Sequence, residues 1–88
     1  MKTFIGIDGL KTLMEAHPEL DWLRVELELE KIRVVVSRKG ELFTGECTDK
    51  EAKIKAHTST VWAAHREQMT KTTATRRAIE KAFPEFQA

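Results

Sequence analysis

From Trp22 to Gly45 the chain alternates apolar and polar residues almost without a slip, changing phase only at candidate turns, and this points to a half-buried antiparallel sheet. Leu23, Val25, Leu27 and Leu29 are separated by Arg24, Glu26 and Glu28; Ile32, Val34 and Val36 follow one step out of phase. Successive side chains of a strand point to opposite faces, so such a run sets one face on a core and the other in water. A two-residue turn at Glu30-Lys31 accounts for the phase change. It places Leu27 opposite Val34 and Val25 opposite Val36 on the apolar face, with Glu28 opposite Arg33 on the wet face, where opposite charges attract. A second turn at Lys39-Gly40 sets Phe43 across from Val36 and Glu46 across from Arg33. The pattern is that of a three-stranded meander. Only the second turn contains a residue free to take positive φ; Glu30-Lys31 supplies none, which points to a longer or bulged first connection.

The flanks supply helices. Asp8 offers an N-cap for a helix carrying Leu10, Leu13, Met14 and His17, and Pro18 ends it near Ala16 or His17. Phe4-Ile5-Gly6-Ile7 reads as a short strand or a coil covering one end of the core, and His17 as a surface residue at the helix end. After Gly45-Glu46-Cys47, the run Thr48-Asp49-Lys50-Glu51 is a capping box, with Thr48 at the N-cap and Glu51 reaching back to its amide. Ile54, Thr58, Val61, Trp62, His65 and Met69 then recur at helical spacing, flanked by Ala52, Ala56 and Ala63, and this stripe is expected to roof the sheet. Four threonines between Thr70 and Thr75 favour a break over one continuous helix, with Thr72 or Thr73 capping a final helix. Its apolar side is Ala78, Ile79, Ala82 and Phe83, and Pro84 stops it. The expected fold is therefore α+β in one domain, residues 1–88: a short N-terminal helix, a three-stranded antiparallel meander, and one long or two consecutive C-terminal helices on one sheet face.

Catalytic patterns are missing. The chain has no glycine-rich phosphate loop, CxxC, HExxH or nucleophile elbow. Cys47 with His57 or His65 is a nucleophile–base pairing that any strand-end cysteine near a helical histidine permits. His57 and His65 are not at i, i+4 spacing, so neither a metal nor another cofactor is indicated. A net charge of +1 argues against a strongly basic nucleic-acid binder, and no apolar run reaches the ~20 residues of a membrane span. A single cysteine fits a reducing compartment, hence the cytoplasm.

What remains is contact chemistry. Trp22, Val35 and Leu42 share the parity of the wet face, where they form an apolar patch that is either covered by a terminal segment or docks a partner. At the C-terminal end, Arg76 and Arg77 follow three threonines at a helix start, a place suited to phosphate.

The run Val34–His57, VVVSRKGELFTGECTDKEAKIKAH, resembles the second half of a double-stranded RNA-binding domain. Gly45, Thr48, Lys50, Ala52, Lys53 and Ala56 follow that family's third strand and the start of its last helix. The resemblance implies Lys50 and Lys53 as phosphate contacts, with Lys55 weaker. Asp49 stands where the family usually has lysine, and Cys47 where it has a second glycine. The same strand–strand–helix entry also resembles the arm-type DNA-binding domain of phage integrases.

The expected function is a small non-enzymatic protein-binding module, an adaptor, regulator or inhibitor, that associates with itself or another protein through Trp22, Val35 and Leu42 or through its last helix. The alternative is nucleic-acid binding through Lys50, Lys53, Arg76 and Arg77. Neither a membrane nor a small-molecule substrate is indicated.

Overall fold

The structure, a computed structural model, describes residues 7–86. In chain order it comprises α1 (Ile7–Glu15), β1 (Leu20–Leu27), β2 (Lys31–Arg38), β3 (Glu41–Thr48), α2 (Asp49–Thr58), α3 (Thr60–Ala64), α4 (Arg66–Ala82) and a closing 3-10 turn, Pro84–Phe86. The fold is α+β: an antiparallel sheet in the order β1-β2-β3, with the helices gathered on one side. Phe4, Ile5 and Gly6 lie outside the described residues; Ile7 belongs to α1. Asp8 is not the residue that caps α1 from outside. It sits within the first turn, where its carboxylate faces the positive end of the helix dipole, and its carbonyl accepts from the Thr12 hydroxyl.

The meander forms on the faces the alternation predicts, with one slip of register. Val25 pairs with Val34, Leu27 with Ile32 and Leu23 with Val36. The first turn is therefore centred on Leu29-Glu30 rather than Glu30-Lys31, closed by the Glu28 amide donating to the Lys31 carbonyl at 3.0 Å. A two-residue slip keeps every side chain on its face, so apolar patterning alone does not distinguish the two registers. The turn itself decides. Leu29 is ejected into solvent, fully exposed, and the Glu30 carbonyl accepts from the Asp49 amide at the start of α2. Arg33 consequently faces Glu26 instead of Glu28. The second hairpin matches the expected register, Val36 with Phe43 and Arg33 with Glu46. Lys39 (φ 51°) and Gly40 (φ 77°) both take the left-handed conformation that a tight hairpin needs.

The roof is not the one the periodicity selects. Ile54, Thr58, Val61 and His65 are exposed, and of that stripe only Trp62 is buried, with Met69 half-buried. The chain breaks at Ser59, whose extended backbone and hydroxyl cap α3, and again at His65. No break occurs at the threonines. Helix α4 runs unbroken through Thr70–Thr75 and lies across β3 and β2. Its buried face is two rows at i, i+4 spacing, Thr70–Ala74–Ala78–Ala82 and Thr75–Ile79, the second continued by Phe83. Thr70 and Thr75 enter the interior because each hydroxyl donates to the carbonyl four residues earlier, at 2.7 and 2.8 Å. Burial in a packed interface outweighs the mediocre helix propensity of threonine.

The small residues of α4 let its backbone meet the sheet at Gly45. A Cβ placed there would overlap the Ala78 amide nitrogen and the Ala74 carbonyl oxygen, and would come within 2.9 Å of the Ala78 Cα. These are backbone atoms of a packed helix and have no rotamer by which to yield. Gly45→Ala is therefore expected to destabilise the fold by about 2–3 kcal/mol, read as a lower urea midpoint. Gly40→Ala, by contrast, meets no neighbour and should cost only the strain of positive φ.

Candidate functional site: the open sheet face

The buried apolar residues of all four helices belong to the core on one face of the sheet, together with Ile32, Val34, Val36 and Cys47. Among the described residues nothing lies across the other face. Its rows follow from the register: Trp22–Ser37–Leu42, Arg24–Val35–Thr44 and Glu26–Arg33–Glu46. Two halves differ in chemistry. Toward the β1–β2 turn is a charge lattice, with Lys31 to Glu46 at 2.7 Å, Arg24 to Glu26 at 3.1 Å and Arg33 to Glu28 at 3.5 Å. Hydrogen bonding from Lys31 holds the Glu46 carboxyl below its ordinary range, so the charges of this half are paired with one another.

The other half is apolar. Trp22 and Leu42 stand one strand either side of Ser37, 40% and 61% exposed. The Arg24 guanidinium lies 5.1 Å from the Trp22 ring. Val35 is not an exposed member of this patch. It sits on the middle strand with neighbours on both sides and is buried, though outside the main core. Beneath the patch the sheet end is pinned by Asp21, whose carboxylate accepts from the Ser37 hydroxyl at 2.9 Å and the Gly40 amide at 2.8 Å. Trp22 and Leu42 thus stand on a sheet end tied across all three strands by the pairing and by Asp21.

The four basic candidates are differently placed. Arg77 is committed: it donates to both carboxylate oxygens of Glu51 at 2.9 and 2.6 Å and to the Glu46 carbonyl. This bond takes the Glu51 carboxylate that a capping box would turn back on Thr48; only the Thr48 half of that box forms, its hydroxyl accepting from the Glu51 amide. Lys53 is 3.3 Å from Asp49, and Arg76 is 3.9 Å from Glu80. Lys50 and Lys53 line an open cleft of about 780 Å³ that also holds Glu28, Glu30 and Asp49, so cations and carboxylates share it. The helix that follows β3 is the one bearing these lysines, while α4 is the one lying across the sheet.

Cys47 is buried, and its thiol is pushed up by burial and by the nearby Glu51 carboxylate, away from the thiolate a nucleophile requires. His57 and His65 are exposed. Among the described residues no three His, Cys, Asp or Glu side chains gather as a metal site, and no helix is long and apolar enough to cross a membrane.

One cluster had no counterpart in the sequence patterns. Arg38 donates to Glu19 at 2.6 Å, to Glu85 at 2.8 Å and to the Ala82 carbonyl at 2.7 Å, and lies 4.5 Å from the Phe83 ring. Phe86 stacks on Phe83 at 5.1 Å, and His17, far from being a free surface residue, packs its ring 4.9 Å from Phe83. The cluster fastens the end of α4 to the start of β1 and the end of β2. It is structural.

No protein-family model matches the chain, and no curated protein matches it.

The Arg38 cluster sets the acid response. Hydrogen bonding from Arg38 takes the Glu85 carboxyl down to about 2 and lowers Glu19 as well. A carboxyl held below its unfolded value, about 4.3, contributes stability that is complete above that value and is lost as pH falls toward 2. The melting temperature by circular dichroism is expected to be flat from pH 8 to 5 and to fall between pH 4 and 2. Arg38→Met should flatten that fall, with exposure of these groups keeping the effect modest.

Proposed function

We propose that this chain is a small protein-binding module, an adaptor, regulator or inhibitor that works by surface contact and not by catalysis. The observation that carries the reading is the one-sided roof: a sheet packed on one face presents Trp22 and Leu42, both exposed, on a face that no other described residue covers. Exposed aromatic and aliphatic side chains set on a pre-ordered surface lose little entropy on docking and give up apolar area to a partner. The fitting partner is a protein offering an apolar side chain to the Trp22–Leu42 row. Arg24 beside Trp22 and the Glu26–Arg33–Glu46 row would form its polar rim. Self-association belongs to the same reading. The single buried Cys47 accords with a reducing, cytoplasmic setting.

Nucleic-acid binding through Lys50, Lys53, Arg76 and Arg77, the role the resemblance to double-stranded RNA-binding domains implies, has less support. A phosphate backbone near Lys50 and Lys53 would meet three carboxylates in the same cleft, and Arg77 would have to leave Glu51.

Capture experiments separate the two. The intact chain is expected to retain a protein from host extract with little change between 50 and 500 mM salt. Leu42→Glu, on an exposed side chain, should reduce that capture at least tenfold while Lys50→Glu/Lys53→Glu leaves it intact. Capture lost through the lysine pair and spared by Leu42→Glu, or retention of duplex RNA or DNA that collapses with salt, would replace this reading with the other.

A further inference from the structure

The sheet has two edges, and among the described residues only one is guarded. On β3 the outward carbonyls of Thr44 and Glu46 are taken by Lys81 and Arg77, each at 2.9 Å. These α4 cations block the edge against another strand. On β1 nothing comparable exists among the described residues. The Glu28 amide bond to Lys31 makes that pair a hydrogen-bonded one. By the alternation of an antiparallel ladder, Arg24 and Glu26 then direct their backbone groups toward β2. Leu23, Val25 and Leu27 direct theirs away from it, and no described residue bonds them. Helix α4 packs on β3 and β2, so the apolar side of β1 is thinly covered as well, and Leu27 is 71% exposed although it shares the core face.

We infer that β1 pairs antiparallel with β1 of a second copy of this chain, about a two-fold axis at Val25, joining two sheets into one of six strands. The side chains select both the partner and the register. With Val25 on the axis, Arg24 of each copy stands opposite Glu26 of the other, giving two symmetric ion pairs on the open face. Leu23 of each copy stands opposite Leu27 of the other on the core face, covering the exposed leucine. The registers one step away place Arg24 against Arg24 or Glu26 against Glu26 on the axis, where like charges repel. The outward backbone groups of Leu23, Val25 and Leu27 supply the hydrogen bonds in the chosen register. The contact is small and should be a weak, concentration-dependent dimer. It leaves the Trp22 and Leu42 side chains uncovered, while Arg24 and Glu26 border both surfaces; sedimentation reads the strand pairing and capture reads the docking, so the two proposals fail separately.

Sedimentation of the intact chain across a concentration series tests it. A monomer–dimer equilibrium is expected. Arg24→Glu alone and Glu26→Arg alone should each weaken dimerisation by roughly tenfold or more, because each turns both ion pairs into like-charge pairs. Mixed one to one, the two variants should recover the dimer, since one copy then sets two carboxylates against two guanidinium groups of the other across the axis. Amide exchange on the unaltered chain gives a check that needs no variant: protection at Leu23, Val25 and Leu27 should rise with concentration while Arg24 and Glu26 stay protected throughout. A chain that is monomeric at all concentrations overturns the inference. So does a dimer indifferent to both reversals, or variants that stay monomeric when mixed.

Discussion

Everything in this molecule is arranged around the place where a helix backbone touches a strand backbone. At Gly45 the Ala74 and Ala78 turns of α4 approach so closely that a methyl group has no room. Two consequences follow. The helix is drawn toward β3, so its long axis covers β3 and β2 and scarcely reaches β1. The helix also needs small side chains along that line, which is why Thr70, Ala74, Ala78 and Ala82 form the contact and the larger Ile79 and Phe83 fill the space beside it.

Three cations complete that attachment. Lys81 and Arg77 reach from α4 to the carbonyls of the β3 edge, and Arg38 reaches from β2 to the carbonyl that ends α4. The carboxylates that hold the two arginines, Glu51 on Arg77 and Glu19 with Glu85 on Arg38, come from three separate segments. Each ties down a helix end or a strand edge that would otherwise leave unpaired carbonyls. The result is an asymmetry: among the described residues one edge is guarded and one unpaired, one face roofed and one uncovered, and both proposals rest on the open halves.

The strand pattern was legible because period-two alternation reports faces directly. Trp22 and Leu42 were found on the exposed face by parity alone. Val35 shared their parity, yet the middle strand has neighbours on both sides, and burial there depends on position in the sheet. The two-residue slip of register at the first hairpin has the same origin, since alternation specifies parity and is blind to even shifts. The roof was misread for a different reason. The stretch Ile54–Met69 is the more apolar, and periodicity favours it, but a helix that must touch a glycine is chosen by smallness rather than hydrophobicity. The one available clue was Gly45 itself, a glycine inside a strand, which marks a close backbone approach.

Taken alone, the sequence determined what neighbouring residues settle among themselves: three strands and their faces, the Lys39-Gly40 turn, the Thr48 cap, the stop at Pro84. Only the tertiary structure decided which helix lies on the sheet, where the first turn closes, and which edge and face stay open. Those choices depend on contacts between segments far apart in the chain, such as Gly45 with Ala78, Arg77 with Glu51 and Arg38 with Glu85. No local pattern encodes them, because the free energy that selects them appears only once the distant partners have met.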